Sequence, residues 1–133
     1  GAGAAAKLIA NLVTITTFSV IGECLALGDR LGLATDQTLD LLSKSAIGGF
    51  TDRVRGRFGA ERVPTAFSVG LAEKDLALAV TAGADPAGIA GAAHRNFAAA
   101  VTSGLSDNDI STVVADMRSR ANLRNGEKRS NEH

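Results

Sequence analysis

Neither tryptophan nor tyrosine occurs in this chain, and its 133 residues include one cysteine, two histidines and two prolines. A single thiol, Cys24, cannot close an internal disulfide; set in an apolar run, it reads as a small core residue of a protein from a reducing compartment, with a cytoplasmic location expected. One cysteine and the distant His94 and His133 cannot build a zinc site of ordinary type, and no carboxylate or cysteine stands at ligand spacing around His94. Charge is balanced as well, 14 Lys and Arg against 14 Asp and Glu, so no bulk field draws the chain to nucleic acid or to an anionic membrane. No stretch alternates apolar and polar residues between turn signals as a strand would. Without a strand before it, Gly1-x-Gly3 is no dinucleotide loop.

What is present is 45% hydrophobic and alanine-rich, the length of one domain, enough to bury about two-thirds of its unfolded surface. Six helices are expected in an all-α bundle built around one long central helix. The first runs from Ala4 to Leu31, roughly 40 Å, with Gly32 where a left-handed cap falls. Apolar on nearly every side, it must be surrounded by the other helices or by a partner subunit. Residues 8 to 22 carry no ionisable side chain, but Asn11, Thr14, Thr16, Thr17 and Ser19 interrupt the run and Glu23 closes it, short of the roughly 20 mostly apolar residues of a membrane span. The second helix follows Thr35 or Asp36 as N-cap, turns Leu39, Leu41 and Leu42 inward and ends near Ser45, before a break at Gly48-Gly49. A short helix over Phe50 to Arg55 leads into a loop punctuated by Gly56, Gly59 and Pro64. Arg53, Arg55, Arg57 and Arg62 cluster there, as a solvated loop partly neutralised by Asp52 and Glu61 or as a contact for a cofactor or a further domain. The fourth helix covers Thr65 to Ala82 and stops at Gly83; Asp85-Pro86 opens the fifth, which reaches Ser103. Ser106-x-x-Asp109 has the spacing of a capping box for the sixth, with Ile110, Val113, Val114 and Met117 inward. Residues 118–133 turn polar and basic and read as a disordered tail.

The feature that points to chemistry is Lys7, the first ionisable side chain, with Asn11 one turn on and the polar Thr14 next on the same stripe before it turns apolar at Phe18, Ile21 and Leu25. An ordinary surface lysine with a snorkelling stem has the same spacing. The other reading is a site at the start of the helix. An amine stripped of hydration gives up its proton more readily, which suits the general acid and base of an alcohol oxidation or its reverse.

Three segments then carry a resemblance. Gly1-x-Gly3-x-x-x-Lys7-x-x-x-Asn11, Phe67-Ser-Val-Gly-Leu-Ala-Glu-Lys74-Asp75-Leu76-Ala-Leu-Ala79 and Gly104-Leu-Ser-Asp-Asn-Asp109-Ile-Ser111 occur in the order of the C-terminal domain of the beta-hydroxyacid dehydrogenases. Over residues 1–117 the chain resembles that domain, whose family includes 3-hydroxyisobutyrate dehydrogenase and whose fold is like the C-terminal domain of 6-phosphogluconate dehydrogenase. The resemblance implies that Lys7 is the catalytic acid and base, that Asn11 binds and orients substrate, that Phe67 and Asp75 line the cleft, and that Lys74 lies near the nicotinamide of NAD or NADP. Phe67 and Lys74, seven apart, are expected on one helix face. It further implies a small hydroxy acid or semialdehyde as substrate, a homodimer, and an N-terminal Rossmann domain that is absent from this chain, without which it should be inactive. Two alternatives stand beside it: a non-catalytic helical dimerisation module, and an imine or glyoxylate-type reductase of the same superfamily. Ala10 stands where many relatives have a second asparagine, and Ala46 to Pro64 matches poorly.

Overall fold

The computed structural model describes residues 1–57 and 64–132. Among them the chain is all-helical, with α1 Ala2–Arg30, α2 Thr35–Ser43, α3 Gly48–Arg55, α4 Val69–Ala82, α5 Ile89–Thr102 and α6 Thr112–Asn131. The expected bundle around one long helix is what forms: α1 packs against α2, α4, α5 and α6, while α4 pairs with α5 and α2 with α3. Arg62 and the rest of residues 58–63, with His133, lie outside the described residues.

The inner face of α1 repeats at three and four residues through Ile15, Phe18, Ile21, Gly22, Leu25 and Ala26, all buried. Against it sit Leu39 of α2, Leu76 of α4, Phe97 of α5 and Val113, Val114 and Met117 of α6. The outer face is apolar too, yet Ile9, Val13, Val20, Leu27 and Leu31 are exposed. By length and composition α1 is long and apolar enough to cross a membrane, contrary to the count made on its sequence. Gly32 ends it as expected, with φ +78°. The N–H of Leu33 reaches the Gly28 carbonyl and that of Gly32 the Asp29 carbonyl, so two orphan acceptors are satisfied by the left-handed turn.

Helix starts depart from the sequence reading wherever a loop residue takes over the cap. Helix α2 is capped at Ala34, whose N–H donates to Gln37 Oε1 at 2.8 Å. Leu41 is exposed rather than inward, because it lies about 200° around the helix from the buried Leu39. Gly48-Gly49 opens α3 instead of breaking the chain; Gly48 packs on the Ser43 carbonyl so closely that a side chain would collide with it. Helix α4 starts at Val69, capped by Ser68 Oγ accepting from Leu71 N–H. Asp85-Pro86 forms a turn in which Asp85 Oδ1 accepts from Ala87 N–H, and α5 begins only at Ile89. Residues 118–131 are not a loose tail but the continuation of α6. Arg118 forks onto Asp29 with contacts of 2.5 and 2.6 Å, Asn122 reaches the same carboxylate, and Asn125 accepts from Arg30. These polar ties to α1 replace the apolar stripe that a composition scan looks for. The guanidinium of Arg118 holds the Asp29 carboxyl below its ordinary range against an opposing effect of burial, and that carboxylate in turn raises Arg118.

Candidate functional site

Lys7, Asn11 and Thr14 follow one another along the face of α1 that continues into the buried Phe18, at helical spacing. The first two turns extend past the other described helices, so Lys7 is exposed although it lies on the inward-facing side. It makes no hydrogen bond or ion pair among the described residues. Asn11, one turn further, is half-buried where α4 passes, and its Nδ2 donates to Asp75 Oδ2 at 2.9 Å. Two residues from separate motifs, 64 positions apart, are thereby joined.

Lys74 follows from its place beside Asp75: it is exposed, on the solvent side of α4 between Leu71 and Leu78, which are also exposed. Its expected common helix face with Phe67 does not exist, since α4 begins at Val69 and Phe67 precedes it in a bend. What fixes Phe67 is a different device. The segment before α4 zips against the α5–α6 loop: Ile110 N–H donates to the Phe67 carbonyl at 2.8 Å, Val69 N–H to that of Asn108 at 2.9 Å, and Gly70 N–H to that of Ser106 at 2.9 Å. A side chain at Gly70 would meet the Ser106 hydroxyl, which would have to turn aside.

Asp109 is the centre of that device and not a helix cap. Ser111 caps α6, and Asp109, 3% exposed, accepts from the N–H and hydroxyl of Ser111, from Ala66 N–H at 3.3 Å and from Arg57 at 3.2 Å. Burial pushes its carboxyl up, but the Ser111 hydroxyl and amide, the Arg57 charge and the Ala66 amide outweigh it and hold the group below the ordinary aspartate range. Its segment was legible as a motif, while its role was not, because Ser106-x-x-Asp109 has the spacing of a cap.

Between Phe67 and α1 opens a cavity of about 220 Å³, whose walls include Thr14, Phe18, Phe50, Arg53, Arg57 and Phe67. Phe18 and Phe50 meet edge-on at 4.8 Å between ring centres, and the Arg53 guanidinium lies over Phe50 at 4.8 Å. The arginine cluster of the loop thus divides by role. Arg55 pairs with Asp40 at 2.8 Å and Asp36 at 3.8 Å, Arg57 with the buried Asp109, and Arg53 faces the cavity.

A polar stripe leading into an aromatic cavity can seat a small polar ligand with its reacting group near Asn11 and Lys7. No strand followed by a glycine-loop phosphate cradle exists among the described residues.

Residues 1–117 match the family described as NAD-binding of NADP-dependent 3-hydroxyisobutyrate dehydrogenase. Glyoxylate/succinic semialdehyde reductase 1 of Arabidopsis thaliana is 33% identical over 118 residues, covering 86% of this chain and 41% of the relative. The chloroplastic reductase 2 of the same plant is 30% identical over 122 residues, covering 89% and 34%. The crystal structure of 3-hydroxyisobutyrate dehydrogenase from Salmonella typhimurium superposes with a TM-score of 0.72 at 30% identity, over 86% of this chain and 42% of that one. The Mycobacterium tuberculosis 3-hydroxyisobutyrate dehydrogenase with L-serine gives 0.64 at 25% identity, over 86% and 43%. The chain spans about two-fifths or less of the length of these relatives.

Proposed function

The chain belongs to the 3-hydroxyisobutyrate dehydrogenase family, and on that premise we propose that it is the substrate-binding and dimerisation domain of an NAD(P)-dependent hydroxy acid dehydrogenase or semialdehyde reductase. The observation that carries this reading is the Asn11–Asp75 hydrogen bond, at 2.9 Å, which joins the lysine helix to the second motif beside an aromatic cavity. The nicotinamide, when bound, supplies or accepts the hydride. The work of this chain is on the proton and on position.

Lys7 gives and takes the proton at the substrate oxygen, and a domain docked over the open start of α1 closes water away from it. Asn11 has one amide hydrogen committed to Asp75, so its carbonyl is turned to a known side; the remaining hydrogen and the oxygen orient the substrate. Phe67 walls the cavity with its backbone anchored by Ile110. Lys74 sits at the nicotinamide end. The outward apolar face of α1 supports pairing with a second copy. A charge-balanced chain with one cysteine supports a cytoplasmic protein that binds neither nucleic acid nor membrane, with α1 covered by protein.

Replacing Lys7 with Ala in the full-length protein is expected to lower kcat about 100-fold or more, as for loss of a general acid and base, with the nucleotide KM unchanged. Undiminished turnover removes Lys7 from the mechanism. The alternative of a non-catalytic module is favoured by no observation on the site.

A further inference from the structure

Building on that reading, we propose that Arg53 is the anchor for the substrate's carboxylate, and that the substrate is a small monoanion whose carboxylate lies a few carbons from the reacting carbon. Arg57 and Asp109 neutralise each other at 3.2 Å, and Arg55 is spent on Asp36 and Asp40 of α2. Arg53 has a ring beneath it but no carboxylate among the described residues. Among the described residues the lining therefore carries one uncompensated positive charge, in an otherwise aromatic, aliphatic and small-polar wall.

Its geometry suits an anion. A guanidinium stacked on an aromatic face uses its π surface there and keeps the in-plane N–H fork free for a bidentate carboxylate. Phe50 is itself braced edge-on by the buried Phe18, so the cation sits on a fixed platform rather than on a loose side chain. At about 220 Å³ the cavity is smaller than those that take drug-sized molecules, which limits the ligand to a few carbons. The cavity reaches α1 at Thr14, about 4.5 Å along the helix from Asn11. A carboxylate held at Arg53 thus leaves room for a short chain before the oxygen held at Asn11. A two-carbon oxo acid, with carbonyl and carboxylate adjacent, is expected to engage the two groups together less well than a four-carbon one.

The test uses the full-length protein with three aldehydes: succinate semialdehyde, neutral butanal and glyoxylate. Arg53→Gln is expected to raise KM for the four-carbon oxo acid at least 10-fold and to leave kcat/KM for butanal and the nucleotide KM unchanged, and Arg53→Lys to recover part of the loss. Wild type is expected to prefer the four-carbon acid to glyoxylate. An equal loss on butanal, no loss on the oxo acid, or a preference for glyoxylate overturns the assignment. If Arg53→Gln is silent while Lys7→Ala abolishes turnover, the anchor fails and the dehydrogenase reading stands. Should the protein turn over none of the aldehydes, binding decides: butyrate added to the 133-residue chain is expected to shift the amides of Thr14, Phe50 and Phe67. The response should weaken at least 10-fold in Arg53→Gln and be absent with 1-butanol. Butyrate shifts that persist unchanged in the variant overturn the anchor on their own.

Discussion

Asp109 is buried and ionised, with four groups of this chain committed to it, and that makes its removal measurable. Asparagine there keeps the shape but loses the charge that faces Arg57, at an expected cost of about 1–3 kcal/mol for the groups left unsatisfied. Arg57 is 37% exposed and regains hydration, so the full cost of an orphaned buried ion does not arise. The pH dependence follows from the direction of its shift. A carboxyl held below its ordinary value near 3.8 contributes stability that is complete above that value and is lost as pH falls through it toward the lower folded value. Urea unfolding at pH 6 and pH 3 should therefore show the gap between wild type and Asp109→Asn shrinking at the lower pH; a constant gap refutes the charge argument. At this scale the sequence was legible where a residue type has few uses. Asn11 could be picked out because a polar side chain one turn from Lys7 stands out on an apolar helix, whereas Asp75 entered only through the resemblance of its motif. Asp109 was misread because a Ser-x-x-Asp spacing serves a helix cap and a loop anchor alike, and only the antiparallel contact with residues 66–70 decides between them.

Helix α1 meets α2 through Gly28, where a Cβ would fall on the buried Thr38 hydroxyl and its neighbouring atoms. Gly28→Ala gains helix propensity at a position that cannot use it, and overpacking is expected to cost about 1–3 kcal/mol, several degrees in Tm. Thr38→Ala in the same chain removes the obstructing atoms and should recover most of that loss in calorimetry, whereas additive losses would show that Gly28 is needed for some other reason. The existence and order of all six helices could be read from periodicity and glycine punctuation. Their starts could not, because Ser68, Gly88 and Ser111 cap later than the residues expected, with the intervening segments drawn into loop contacts. The far half of α6 was missed for a related reason. Its docking rests on Arg118, Asn122 and Asn125 against Asp29 and Arg30, and pairs across 89 to 95 positions leave no periodic mark in a sequence.

Among the described residues, the packing of the molecule leaves five large hydrophobics of α1 exposed. Ile9, Val13, Val20, Leu27 and Leu31 are 47–68% exposed. At 100° per residue they fall within an arc of about 40° along roughly 33 Å of α1, opposite the face that the bundle buries. A continuous ridge of this kind on a central helix is the form of an isologous interface, since a two-fold axis across it lays each copy's ridge on the other's. Its 4 and 7 residue spacings match two helices crossing at a shallow angle. A homodimer is therefore expected at micromolar concentration by light scattering. Val13→Glu with Val20→Glu should shift it to monomer, because two charges per chain would be desolvated at the seam, while far-ultraviolet circular dichroism stays unchanged because both positions face outward. A wild-type chain that scatters as a monomer, or a double variant that remains dimeric, would place the cover of this ridge elsewhere. The nearest candidate is then the docked nucleotide-binding domain.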